Sequence, residues 1–238
     1  MNILITYFLN ILLLIKNLFL FKILISDIVN LNYVSLFLFL CLSYLFVGVA
    51  TQEILGLEQM IIETLFEQLT TEQVNNYLTF NRKYEWLGYL MLPVIMLLKI
   101  ALIAKILDAG AFFMEKEVSY AKLFTVVLKA EFIFLAIPFL KLGWFYFVKT
   151  DYDLSDIQMF YPLSLLNITG YQNLEPWFIY PLQVINLFEL IYWFLLAMQL
   201  KRLLQLDWSK SFSIVGYSYG IMLFIWIVVV MFFYLNTY

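Results

Sequence analysis

The sequence predicts an all-α fold, a polytopic transmembrane helix bundle with five spans and one further N-terminal helix. Three observations lead there. Of 238 residues, 64% are hydrophobic and 13% charged, and the mean hydropathy of +0.90 lies far from that of a water-soluble domain. Apolar runs of about twenty residues recur along the chain, which at 1.5 Å per residue is the length a hydrocarbon core of roughly 30 Å demands. No Pro-, Gly- or Ser-rich stretch separates the runs, so residues 1–238 read as a single membrane domain.

Residues 1–26 predict either a helix lying in the interface or a span. Asn2, Thr6, Asn10 and Asn17 share one side of a helical wheel, as an interfacial helix requires, while the apolar density before Lys16 suits a crossing. A cleaved signal peptide is not expected, because no basic region precedes the apolar part and no small-x-small site follows it. Residues 33–50 are the first span, and Cys41 within it reads as a small buried hydrophobe. Residues 51–84 form an external amphipathic segment with Glu53, Glu58, Glu63, Glu67 and Glu72 set among Ile54, Leu57, Ile61 and Leu65; these acids read as a solvated face. Thr70 with Gln73 three residues later has the spacing of a capping box that restarts a short second helix.

The second span, residues 86–107, contains Pro93 and Lys99. The third, residues 121–147, carries Lys122, Lys129, Glu131, Lys141 and Pro138. An acidic, aromatic loop follows, whose apolar part at residues 157–166 is suited to dip into the interface. The fourth span, residues 177–200, has Pro181 near its start and a polar stripe of Gln183, Asn186 and Glu189 that should face protein rather than lipid. The fifth, residues 212–235, begins with Gly216-Tyr217-Ser218-Tyr219-Gly220, in which Gly216 and Gly220 have the spacing for close helix packing.

An ionisable group inside a span is costly and marks a functional hypothesis. Lys99 and Glu131 each fall about three residues, or 4 to 5 Å, from the centre of their spans, and Glu189 lies within about one turn of that depth. Lys99, Glu131 and Glu189 therefore form an expected intramembrane ionic cluster, with Lys99 pairing to Glu131, Glu189 or both. Lys129 falls on the face opposite Glu131, about 100° of rotation per residue away.

The basic residues set an orientation. Lys16, Lys22, Lys105, Lys116, Lys122, Lys201, Arg202 and Lys210 group on one side and Arg82, Lys83 and Lys149 on the other. The richer side should be cytoplasmic, with the N-terminal segment on it and the C-terminus outside. Trp86, Trp144 and Trp177 then form an outer aromatic belt.

Much chemistry is excluded by what the chain lacks. There is no His and one Cys, which removes His-based zinc, copper and haem sites, His-dependent nucleophiles, an intrachain disulfide and any CxxC motif. HExxH, GxGxxG and phosphate-loop patterns are absent. No catalytic residue, cofactor or metal ligand is expected. A net charge of −3 without a basic patch excludes nucleic acid. The expected partners are membrane lipids and other membrane protein subunits.

The stretch Val184-Ile185-Asn186-Leu187-Phe188-Glu189, closing at Leu200-Lys201-Arg202-Leu203 and leading through a polar turn to Ser213-Ile214-Val215-Gly216-Tyr217-Ser218-Tyr219, resembles the fourth and fifth helices of bacterial membrane proteins of the Yip (Ypt-interacting protein) family. The five-span layout is similar as well, while the acidic segment at residues 52–84 departs from the family pattern. The resemblance implies a non-enzymatic integral membrane scaffold or assembly factor, and it carries no catalytic residues. The alternatives are a transporter or permease subunit moving an ion or small solute past the Lys/Glu cluster, and an organelle-encoded subunit of a respiratory complex. The abundance of Ile, Asn, Lys, Phe and Tyr points to an AT-rich genome, hence a bacterial inner membrane or, alternatively, a mitochondrial inner membrane.

Overall fold

A computed structural model describes residues 32–172 and 174–237; the expected N-terminal helix lies outside them. The described residues are helical without a β-strand, and four helices are long and apolar enough to cross a membrane: Tyr33–Leu55, Thr71–Phe113, Tyr120–Phe147 and Trp208–Asn236.

Helix α1 (Tyr33–Leu55) starts at Asn32, whose side chain accepts a hydrogen bond from the Val34 N–H, and stops at Gly56, which adopts the left-handed conformation (φ 64°) that glycine tolerates without a Cβ clash. Cys41 is buried in it. The first span thus continues five residues past its expected end at residue 50. The same glycine opens α2 (Leu57–Gln68), so the external segment is divided at Gly56 and again at Thr70 rather than forming one piece. The Thr70/Gln73 capping box is present, but the helix it starts is not short: α3 runs from Thr71 to Phe113 without interruption at Pro93. Its 43 residues make about 64 Å. The N-terminal turns of α3 carry the polar residues and the rest the expected span. Arg82 reaches back to Glu58 of α2 at 3.4 Å, between two exposed side chains.

Helices α4 (Tyr120–Glu131) and α5 (Ala136–Phe147) are joined by a 3-10 turn at Phe132–Leu135 into one rod. This rod is the centre of the molecule: 61% of its apolar window is buried, against 22% for the two preceding spans and 6% for the last. Leu123, Val127, Leu128, Ala130 and Phe132 are sealed in the main core with Leu40 of α1 and Ile100, Ala104 and Leu107 of α3. Tyr120 and Ala101 tie α4 to α3 through a hydroxyl-to-carbonyl bond of 3.0 Å. At the far end of α5 a smaller cluster of Leu55, Phe145 and Ile157 closes over the bundle, and short helices α6 (Leu154–Met159) and α7 (Leu165–Thr169) fold back there. The apolar part of this loop packs on protein.

The fourth expected span is not a single helix. It is split into α8 (Pro176–Val184) and α9 (Leu187–Leu204), with Ile185 and Asn186 out of helical geometry. The break is covered by the preceding loop: Leu165 donates its N–H to the Ile185 carbonyl at 3.0 Å, and the Leu187 N–H donates to the Leu163 carbonyl at 3.1 Å. The Asn186 amide donates to the carbonyls of Gln183 and Val184, while its oxygen accepts from the Glu189 N–H at 2.8 Å. Non-helical backbone at membrane depth persists only where such partners exist. The residues read as a polar stripe on one helix are therefore the apparatus of a helix break. α8 packs on α11 (Ile221–Thr237) and α9 on α10 (Trp208–Val215), so the broken pair runs antiparallel to the last rod. That rod contains a π-turn at Gly216–Gly220.

Candidate functional site

Lys99 is presented by α3 and Glu131 by the last residue of α4. Lys99 Nζ donates to Glu131 Oε2 at 2.8 Å and lies 4.6 Å from the centroid of the Phe134 ring, so a carboxylate and an aromatic face share the ammonium. The two partners differ in surroundings. Glu131 is 2% exposed, whereas the Lys99 side chain is 46% exposed on the flank of the bundle.

Glu189 lies in the first turn of α9, where the helix dipole favours a carboxylate. Its Oε1 accepts from Trp193 Nε1 at 2.9 Å and from the Tyr219 hydroxyl at 2.7 Å. Trp193 is one turn along the same helix, and Tyr219 stands in the π-turn. Glu189 is thus held by neutral donors, and the direct ion pair of Lys99 goes to Glu131.

The two carboxylates are connected by aromatic rings. Phe134 packs on Tyr192 with centroids 4.8 Å apart, and Tyr192 meets Tyr219 edge-on at 5.3 Å. Tyr192 is fully buried. Its hydroxyl and Glu131 Oε1 have no hydrogen-bond partner of good geometry among the described residues, although they face each other closely enough to interact. Tyr44 of α1 stands within electrostatic range of Glu131, and Tyr161 and Tyr180 within range of Glu189. Tyr180 also accepts from Trp226 Nε1 at 2.8 Å, which ties α8 to α11.

Each part of this cluster coincides with an irregular stretch of backbone. The 3-10 turn begins immediately after Glu131, the helix break ends three residues before Glu189, and the π-turn carries Tyr219. Such local departures from α-helix concentrate at functional positions. Leu163, whose carbonyl covers the break, is held at φ 60°, a left-handed conformation unfavourable for a non-glycine residue.

No family model matches this chain, and no curated protein or solved structure is found similar to it.

Gly216 and Gly220 behave differently from one another. A Cβ at Gly220 would lie 2.6 Å from the Trp193 ring, so the glycine makes room for the indole that donates to Glu189. Among the described residues nothing approaches the Cβ position of Gly216, which lines a shallow outward depression with Ser209, Phe212, Ser213 and Tyr217. The four-residue spacing says which residues share a face, not what the face meets. The other tight approach is at Gly110 of α3, where a Cβ would lie 2.7 Å from Ser218 Cβ.

Sequence reasoning passed over Tyr192, Trp193, Tyr219 and Phe134. Signals for two of them were present: Tyr192 stands one turn after Glu189, and Tyr219 lies inside the motif noted for its glycines. Among the described residues no group of acidic or thiol side chains converges as metal ligands.

Proposed function

We propose that this chain is a non-enzymatic, multi-pass integral membrane protein that serves as a scaffold or accessory subunit of a membrane complex. The observation that carries the reading is the half-open Lys99. Its ammonium stands at the level of a buried carboxylate, about 12 Å (eight residues at 1.5 Å) from the nearer end of the expected span, farther than a lysine stem extends to reach the interface. Among the described residues it makes a single hydrogen bond and lies over the Phe134 ring, so at 46% exposure it keeps donor capacity for a further group. Lipid tails offer these donors nothing, whereas a partner helix with a carbonyl, hydroxyl or carboxylate does. The likeness of residues 184–235 to the Yip family supports the same class of function.

On this reading the broken α8–α9 pair completes a fifth crossing, the N-terminal segment is cytoplasmic and the C-terminus lies outside. The membrane is a bacterial inner membrane. A photo-crosslinking residue at Ile95 or Leu102, both exposed near Lys99 on α3, should capture one defined membrane protein in native membranes, and that protein should copurify in mild detergent. Adducts to lipid alone would reject the scaffold reading, and a respiratory-complex subunit as captured partner would select the organellar alternative.

A transporter is the second reading, favoured by the broken helix and the embedded charges. The break supplies little to an ion, however, because the carbonyls of Gln183, Val184 and Ile185 are already taken by Asn186 and Leu165. The scaffold reading is therefore preferred.

A further inference from the structure

The central rod carries two cations that the Lys99–Glu131 pair leaves unused, at the end where it meets α9. Among the described residues Lys122 and Lys129 enter no hydrogen bond, ion pair or ring contact. Seven residues apart on α4, they share one face to within about 20°; Lys122 is exposed and Lys129 half-buried. That side of α4 meets α9, where Gln199 donates to the Val126 carbonyl at 3.1 Å. Phe134 of the rod packs on Tyr192 of α9, so the two helices run antiparallel, which puts Lys122 level with Leu203 and the exposed Arg202. The acids at this end do not answer the two lysines. Asp108 bonds Lys105 at 2.8 Å, and Glu115, Glu117 and Asp207 lie on exposed connectors without bonding either one. Lys201 is occupied by the Trp208 ring, whose centroid is 4.5 Å from its ammonium.

Depth separates these lysines from ordinary surface charge. The rod Tyr120–Phe147 has 28 residues. At about 42 Å it overshoots a hydrocarbon core of roughly 30 Å by about 6 Å at each end when centred on it. Lys122 then stands in the headgroup layer and Lys129 about 8 Å beneath the edge of the core. Side chains of an α-helix lean toward its N-terminus, which for α4 is the nearer interface, so the Lys129 stem climbs toward Lys122. An ammonium at such a depth persists where an anion meets it, and the anion that every leaflet position offers is a lipid phosphate. We propose that Lys122 and Lys129, with Arg202 beside them, form a binding site for the phosphate of one anionic phospholipid, seated where α4 meets α9. Basic clusters between membrane helices recognise such headgroups through their charge. A zwitterionic headgroup brings its own ammonium to the same place and is answered less well. The site rests on the membrane-embedded bundle alone; neither the sidedness of the chain nor a partner subunit enters it.

Native mass spectrometry of the full-length chain in mild detergent tests this, with phosphatidylglycerol and phosphatidylcholine offered in equal amounts. The wild type should retain one phosphatidylglycerol in preference to phosphatidylcholine. A lysine beside an anionic headgroup is worth about fivefold in affinity, so Lys122→Gln should weaken that binding about fivefold, and the double variant with Lys129→Gln roughly twenty-five-fold. Lys141→Gln, which removes a lysine nearer the opposite end of the same rod, should leave it unchanged. Equal retention of the two lipids by the wild type would overturn the proposal, as would undiminished phosphatidylglycerol binding in the double variant. Displacement of the lipid by millimolar inorganic phosphate would overturn it too, because the site would then belong to a soluble phosphate. Should the double variant not fold, the exposed Lys122 still decides: a fivefold loss in Lys122→Gln supports the site and unchanged binding rejects it.

Discussion

Lys99 and Glu131 show how an ion pair can be half open and still consequential. The carboxylate is sealed and cannot regain water when its partner is lost, so the cost of removing Lys99 is set mainly by Glu131. Lys99→Leu should therefore destabilise the protein by on the order of 3 kcal/mol, the lower end of the range for breaking a buried pair because the lysine is partly exposed. Adding Glu131→Gln removes the stranded charge and should recover part of the loss. Thermal unfolding of the single and double variants in one detergent measures the coupling, and additive losses would show that the 2.8 Å pair contributes nothing specific.

At the scale of elements, helix ends and irregular turns decide what meets what. Gly220 and Gly110 are places where one helix closes on another, whereas Gly216 faces open space. Gly220→Ala should displace the Trp193 ring and Gly110→Ala should press on Ser218, each lowering the melting temperature by the equivalent of about 1–3 kcal/mol, the usual cost of overpacking. Gly216→Ala should be neutral. A melting series in which Gly216→Ala is as harmful as Gly220→Ala would show that the π-turn is placed differently.

Helix α6 offers a pH-dependent counterpart outside the spans. The Lys149 ammonium, which hydrogen-bonds Asp156, is the main cause holding that carboxyl below the usual aspartate range; partial burial opposes it, and a backbone bond at Asp153 assists. A depressed folded value means the stabilisation is present above the unfolded value of about 3.9 and is lost as pH falls through the lower folded value. Protection of α6 against hydrogen exchange should thus decline below about pH 4, and Asp156→Asn should lose that dependence. Unchanged acid sensitivity in the variant would assign it to another group.

At the scale of the whole molecule, the central rod is surrounded by longer, poorly buried helices, so most of the outer surface is apolar side chain suited to lipid. The acidic helix α2 sits at the end of the bundle, where its Leu57 and Met60 pack on the Leu55, Phe145 and Ile157 cluster, and it lies beside the polar start of α3. A reporter fused after Tyr238 should behave as external and one inserted near Lys116 as cytoplasmic; the opposite pattern would invert the proposed orientation. Single-cysteine labelling along residues 57–68 should oscillate with a period near 3.6 residues, with Glu63 and Glu67 positions reactive and Ile61 and Leu65 positions shielded. Uniform reactivity would mean that α2 does not rest on the rest of the chain.

The sequence by itself determined the helical class, four of the five expected apolar rods and the capping box at Thr70, because apolar run length and local side-chain-to-backbone bonds depend on neighbours along the chain. It also singled out Lys99, Glu131 and Glu189 as charged residues in apolar runs, since a charge is conspicuous there whatever it touches. Which carboxylate takes the lysine was decided only in three dimensions, by the rotation and depth of three separate helices. The same holds for the split at Ile185 and Asn186. Continuous hydropathy across residues 177–200 reads as one helix, and the loop carbonyl and N–H groups of Leu163 and Leu165 that make the interruption tolerable come from an element about twenty residues earlier. Close approach at Gly220 rather than Gly216 is likewise a property of the facing Trp193 ring, which no spacing within the last rod contains.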